Sequence, residues 1–452
     1  MPDIAANAGL AAPSALEERT MRRVIRRIVP FLMTLFVINF LDRTNVAIAA
    51  LGMNRDIGIS PSVYGLGAGI FFLGYLLFEI PSNILLHKFG ARIWIARIMI
   101  SWGLVAGGMG FLRTPQHFVI MRTLLGVAEA GFFPGVVFLL SLWIPNRYRA
   151  KTIAGFYLGL PIAQVIGAPL SAGLMKLGDL LGFAGWRIMY VCEGLPAILL
   201  GIACLFYLTD TPAQAQWLAP EERDWLIDTL AAEKHERTLA SGSYMSKGQQ
   251  IRRVLRSKSV WTLSLLYFGI TAGSNTMNFF LPTVLQSFQG TFHLHIGLME
   301  NGLITAVPYA AAGLAMYFWS RHSDRHSERR KHAGSAALLA AFSIALSFLA
   351  NNPFAIMLGF TLLSVGVYSS ITVFWAIPGQ VLTGIEAATG IALINSIGNL
   401  SGFVGPYVSG KLYSLTGTYA ASFLVIAAMV ALGGFGLFFF PKKYLEASTS
   451  TP

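Results

Sequence analysis

Charge is what this 452-residue chain has least of: only 12% of its residues are Asp, Glu, Lys or Arg. Soluble proteins carry about 25%. With 55% hydrophobic residues and a mean hydropathy of +0.61, a soluble globular class is excluded and a polytopic membrane protein is implied. Cysteine is nearly absent. Cys192 and Cys204 fall in one expected helix, about 18 Å apart along its axis, so a disulfide is excluded. All eight histidines lie in loops or at the ends of expected helices, which excludes an intramembrane histidine metal or catalytic cluster. There is no P-loop and no Gly-x-Ser-x-Gly elbow, which argues against an ATP-driven pump or a hydrolase. No Lys/Arg stripe with interleaved aromatics is present, so nucleic acid is not an expected partner. The net charge of +12 instead follows the positive-inside rule.

What is there is a series of apolar runs of about 20 residues, the length a bilayer demands. They predict an all-α integral membrane protein with twelve helices, at 26–50, 62–84, 92–112, 116–144, 151–176 and 187–209, then 259–286, 299–320, 333–350, 353–380, 386–411 and 418–440. The expected organisation is a tail (1–25), a six-helix bundle (26–209), a charged central loop (210–258), a second six-helix bundle (259–440) and a tail (441–452). Lys and Arg concentrate on one side: Arg19, Arg22, Arg23, Arg26 and Arg27 before the first helix, Lys88 and Arg92 after the second, Arg321 to Lys331 after the eighth, and Lys442 and Lys443 at the end. Both termini are therefore expected in the cytoplasm. The polar start, Met1 to Glu18, has no signal-peptide cleavage pattern.

The first helix contains Asn39-Phe-Leu-Asp42-Arg43-Thr-Asn45. An aspartate and an arginine at bilayer depth cost about 2.5–3.5 kcal/mol each. That face must line a protein interior or a water-filled cavity, and it is a functional-site hypothesis by default. Sequence neighbours diverge by about 100° on a helix, so Asp42 and Arg43 are poorly placed to neutralise each other. An internal pair that merely fixes packing is the blander alternative.

The chain also repeats itself. Asn83-Ile-Leu-Leu-His87-Lys88-Phe-Gly90-Ala-Arg92 follows the second helix, and Ser320-Arg-His-Ser-Asp324-Arg325-His-Ser-Glu-Arg329-Arg330 follows the eighth. Both resemble the Gly-x-x-x-Asp-Arg-x-Gly-Arg-Arg loop of the major facilitator superfamily. In the first copy His87 stands where the aspartate belongs, and the second copy lacks both glycines. Longer strings resemble the superfamily's anion:cation symporters: Leu41 to Ala47, Gly74-Tyr-Leu-Leu-Phe-Glu79-Ile-Pro81-Ser-Asn83, Leu125 to Gly135 with Glu129, Trp186 through Pro196, and Gly390 through Pro406. The likeness is nearest to the bacterial tartrate, phthalate and 4-hydroxyphenylacetate permeases. It implies the major facilitator fold of two pseudo-symmetric six-helix bundles, in the bacterial inner membrane. It also implies that Lys88, Arg92, Asp324 and Arg325 belong to gating loops.

Co-transport of an organic anion with protons needs a cation for the carboxylate, acids that take up protons, and polar groups for the rest of the substrate. Arg43 is the expected carboxylate anchor, because a guanidinium binds carboxylate through two parallel bonds and stays charged. Arg122 stands as a second contact or a gate, with snorkelling to the interface as its alternative. Asp42 and Glu129 are the expected proton carriers, while Glu79 and Glu193 read as structural acceptors. Tyr75, Gln164, Asn275, Ser370, Trp375 and Asn395 are polar or amphipathic groups within apolar spans and complete the expected substrate wall. The mid-membrane charges all lie in the first half, so that half is expected to bind charge and the second to read hydroxyls or ring shape. The expected function is import of a hydroxy-dicarboxylate, sugar acid or aromatic carboxylate by proton symport through rocking of two halves. No cofactor or metal is called for, and a monomer is expected. Sodium coupling and a non-transporting organic-acid sensor remain the alternatives.

Overall fold

Helix-starting signals recur along the chain, and the computed structural model, which describes residues 13–240, 247–326, 328–382 and 384–441, shows what they start. Ser14 caps α1 (Ala15–Asp56) by accepting from Glu17 N at 3.1 Å. With Glu17 itself at the third helical position, this is the Ser-x-x-Glu arrangement of a capping box. Ser60 and Pro61 start α2 (Pro61–Phe89) in the same manner, with proline where its missing N–H costs nothing. The first half continues with α3 (Ala91–Gly108), α4 (Pro115–Glu129), α5 (Phe132–Trp143), α6 (Asn146–Tyr157), α7 (Gly159–Leu180) and α8 (Gly185–Tyr207). Two helices, α9 (Pro220–Ala240) and α10 (Lys247–Arg256), lie in the central connection. The second half comprises α11 (Lys258–Phe292), α12 (Leu298–His326), α13 (Arg330–Leu349), α14 (Pro353–Phe374), the single turn α15 (Pro378–Val381), α16 (Gly384–Thr416) and α17 (Tyr419–Phe438).

Among the described residues, ten helical segments are long and apolar enough to cross a membrane. They coincide with ten of the twelve expected runs; the other two runs coincide with α11 and α16. Several boundaries differ for identifiable reasons. The capping box starts α1 at Ala15, inside the expected tail. The expected fourth helix is two, because Gly131 takes a left-handed φ of 87° between α4 and α5. The expected fifth is likewise divided at Leu158 into α6 and α7. The second and eighth run longer than hydropathy alone indicates, so Lys88 sits in the last turn of α2, and Asp324 and Arg325 in the last turn of α12.

Within each half the helices pack side by side, α3 on α8 and α2 on α4 in the first, α13 on α14 and α17 in the second. The halves meet along α2–α16, α7–α12 and α1–α11. At the end carrying the α1–α2 loop this contact is backbone on backbone. A Cβ on Gly65 would stand 2.4 Å from Pro406 O, and one on Gly410 2.3 Å from Pro61 O. Tyr64 donates to Phe279 O at 2.8 Å beside it. The contact closes that end.

Candidate binding site at the centre of the bundle

The site is built where α4 breaks. Gly131 supplies the left-handed residue that an L side chain rarely adopts, and a Cβ there would fall 2.3 Å from Ser82 Oγ. Ser82 donates to Ala130 O at 2.6 Å and accepts from Trp94 Nε1 at 2.9 Å. Two neighbouring helices therefore hold the break, and Glu129, the last residue of α4, is presented to the interior with 0% exposure. Upstream, α4 crosses α2 so closely that a Cβ on Gly126 would stand 2.1 Å from Phe71 O. This crossing brings Tyr75 alongside.

Into this corner α1 delivers Arg43. Its Nε donates to Glu129 Oε1 at 2.6 Å and a terminal nitrogen reaches the same oxygen. The guanidinium also lies 5.1 Å from the centroid of Phe40, 5.2 Å from that of Tyr75 and 5.4 Å from that of Phe71, an aromatic cage suited to a cation. Arg43 keeps 22% of its side chain accessible while its partner is sealed at 1%. The second carboxylate oxygen, Glu129 Oε2, is buried with no hydrogen-bond partner among the described residues. The cation is thus the reachable member of the pair.

Asp42 turns the other way, as the divergence of helix neighbours requires. Asn45 Nδ2 donates both to Asp42 Oδ1 at 3.0 Å and to Glu193 Oε2 at 2.7 Å, and Ser171 donates to Glu193 Oε1 at 2.7 Å. Two buried acids from α1 and α8 are therefore strung on one asparagine. Asp42 Oδ2 is left without a partner among the described residues. Glu193 accepts hydrogen bonds across helices, in the manner expected of it, and in doing so becomes a neighbour of Asp42.

The structure separates the remaining candidates into groups. Arg122 is 1% exposed. It donates to Gly67 O at 3.1 Å and Ala68 O at 3.3 Å, under the ring of Phe71, so here it clamps α4 to α2 and faces neither interface nor open cavity. Gln164 is buried on α7 and donates to Tyr368 OH at 3.4 Å. Tyr368 and Tyr309 both donate to Asn278 Oδ1, at 3.5 and 2.7 Å. This second polar cluster, between the halves, includes three residues that sequence reasoning missed. Asn278 had a signal, three positions after Asn275 on the same apolar helix; the tyrosines were indistinguishable from packing. Asn275 donates to Ser401 Oγ at 2.9 Å and joins α11 to α16. Ser370, 0% exposed, donates to Ala333 O at 2.8 Å and joins α14 to α13. Trp375 packs edge-on to Tyr267, centroids 4.9 Å apart. Asn395 is partly buried on α16, and no hydrogen bond engages it among the described residues.

At the other end of the bundle, Arg92 N donates to Asp210 Oδ1 at 2.8 Å, with its guanidinium 3.7 Å from Oδ2. An acid from beyond α8 thus serves the turn in which His87 replaces the expected aspartate; His87 instead packs edge-on against Phe138 at 4.4 Å. Lys88 is exposed over Phe89. In the second copy Asp324 pairs with Arg329, and Arg325 is exposed.

Two helical bundles enclosing buried charge, with ten helical segments among the described residues long and apolar enough to cross a membrane, define a multi-pass membrane protein, and its likeness to known proteins makes its class that of the transporters. Residues 32–299 and 289–452 match the Major Facilitator Superfamily, and the chain belongs to that family. It is 46% identical over 417 residues to a protein of Agrobacterium vitis named "Putative tartrate transporter", covering 92% of this chain and 90% of that one. It is 37% identical over 417 residues to the quinolone resistance transporter of Acinetobacter baumannii, covering 92% and 94%. Among solved structures it resembles a D-xylose–proton symporter (TM-score 0.72, 14% identity, 93% of this chain and 98% of that one). It also resembles an inward-facing bacterial homologue of the human lysosomal transporter Spinster (TM-score 0.71, 15% identity, 94% and 97%).

Proposed function

We propose that this protein imports an organic acid anion together with protons across the bacterial inner membrane, as a monomer with both termini in the cytoplasm. The observation that carries the reading is the Arg43–Glu129 pair, a reachable cation held by a sealed acid. A substrate carboxylate offers the guanidinium fork two oxygens, whereas Glu129 offers it one. Once Arg43 turns to the substrate, Glu129 is a buried carboxylate without a cation, a state costly enough that taking up a proton is the economical resolution. Anion and proton then load together. Asp42, held through Asn45 to Glu193, is the second proton site in this reading. Gln164, Tyr309, Tyr368, Asn278 and Asn395 are the neutral groups available to hydroxyls or a ring, and the tartrate-named relative supports a hydroxy acid first. With the N-terminus cytoplasmic, the closed α2–α16 end is periplasmic and this is the inward-facing state. Lys88, Arg92, Asp324 and Arg325, at the ends of α2, α3 and α12, then lie on the cytoplasmic side.

A thermal-shift screen against organic acids at mildly acidic pH identifies the substrate class, since a ligand of the folded state raises the midpoint by mass action. Stabilisation by one class, lost in Arg43→Ala, is the expected result. With that substrate in proteoliposomes, Glu129→Gln is expected to abolish accumulation driven by a pH gradient and to spare exchange. A Glu129→Gln protein that still concentrates substrate removes Glu129 from coupling, and accumulation that needs Na⁺ but no pH gradient replaces the proton reading.

A further inference from the structure

Three histidines that the sequence scatters over eleven positions are gathered at the junction of α12 and α13. His322 and His326 stand one turn apart on α12, the i,i+4 spacing that puts two side chains on one face. His332 comes from the first turn of α13. One ring nitrogen from each lies within 4.8 Å of the other two. His322 Nδ1 and His332 Nε2 are 2.8 Å apart, and the ring centroids of His322 and His326 are 4.2 Å apart.

We propose that His322, His326 and His332 form a binding site for a divalent transition-metal ion of the Zn²⁺ class, which ties the end of α12 to the start of α13. Imidazole is the side chain such ions prefer, and calcium and magnesium, which take oxygen ligands, are excluded by the donor set. Tetrahedral Zn²⁺ with nitrogens at about 2.0–2.1 Å separates its ligand atoms by about 3.3 Å. The His322–His332 pair needs to open by only a few tenths of an ångström, well within side-chain rotation. One outer contact matches what metal-bound histidines require, while His332 Nδ1 is buried with no hydrogen-bond partner among the described residues. His326 Nδ1 lies 2.9 Å from His322 O, which fixes that nitrogen as the donor and leaves Nε2 with the lone pair. Trp319 donates to His332 O at 3.1 Å and stacks on His322, so the same residue steadies two of the ligands. The rings of His322 and His326 are exposed, leaving a fourth position open to water. Arg321, Arg325 and Lys331 flank the cluster, while Asp324 and Glu328 are engaged with Arg329 and Arg330. The surroundings are therefore cationic, and a moderate affinity is expected.

The test uses the full chain in detergent with a histidine-free purification tag, stripped by chelator and titrated with Zn²⁺ against a chromophoric competitor at slightly alkaline pH. One equivalent is expected. His326→Gln and His332→Gln should each weaken it by about 10-fold or more, and His235→Gln, at an exposed position on α9, should leave it unchanged. Binding should fall on acidification, because only neutral imidazole ligates. Unchanged melting of the metal-free variants shows that ligands and not the fold have been lost. Should His332→Gln not fold, the exposed His326→Gln decides alone. Wild-type protein that takes up no more Zn²⁺ than the His322→Gln/His326→Gln/His332→Gln triple variant overturns the proposal.

Discussion

At the scale of single residues, the site depends on the shape of one guanidinium. Arg43 makes two contacts to one oxygen of Glu129 inside a cage of three aromatic rings. Lysine would keep the charge but not the planar fork. Arg43→Lys is therefore expected to lose at least one charge-assisted bond to the substrate, about 1.5–3 kcal/mol, read as about a 10- to 150-fold rise in Kd. Titration of intrinsic tryptophan fluorescence checks this, and an unchanged Kd would show that charge alone suffices. The residues were legible in proportion to how far each broke the apolar pattern. Asp42, Arg43 and Glu129 are charges in runs that otherwise read as lipid-soluble, and they stand at the centre. Tyr309 and Tyr368 conform to that pattern and were invisible. The Asn45–Glu193 bond joins residues 148 positions apart, a pairing that only the fold decides. The three histidines escaped for a related reason: each lies near a helix terminus, and only the closeness of the end of α12 to the start of α13 turns them into a cluster.

At the scale of elements, the instructive feature is the break between α4 and α5. Gly131→Ala would force a methyl group into a left-handed residue, which costs about 1–2 kcal/mol from conformation alone, and onto Ser82 Oγ at 2.3 Å. A clear fall in Tm is expected, together with weaker ligand stabilisation because Glu129 moves. Gly155, within α6, is the comparison, since a Cβ there meets nothing within 4 Å. Gly155→Ala is expected to leave Tm unchanged or raise it, by up to about 1 kcal/mol of stability. Equal effects from the two substitutions would mean that the break positions nothing. The existence of the helices was readable because bilayer thickness sets their length, and α2, α4 and α14 begin within one residue of the expected starts. The divisions were not, because hydropathy is continuous across Ala130-Gly131 and Leu158-Gly159 and reports nothing of backbone direction.

At the scale of the molecule, the halves meet backbone to backbone at one end, where Gly65 and Gly410 leave no room for a side chain. Bulk at this seam should oppose the closed arrangement while leaving each bundle intact. Gly410→Val, in a background with Cys192 and Cys204 replaced by serine, is expected to increase labelling of Phe403→Cys by a membrane-impermeant thiol reagent from the α1–α2 loop side. Labelling that does not change would place the barrier elsewhere.

The connection between the halves is itself divided. Glu222 on α9 holds Arg19 and Arg23 of α1, Glu233 takes the N–H of Asn146 at the start of α6, and Trp217 stacks on Trp143. The next helix, α10, lies instead against α16 and α11. Each bundle thus carries its own portion of the strap that joins them, like the two plates of a hinge fastened to door and frame. In the rocking motion expected of the two halves, α9 would travel with the first bundle and α10 with the second. A break in the chain between α9 and α10 would therefore leave each plate fastened to its own bundle.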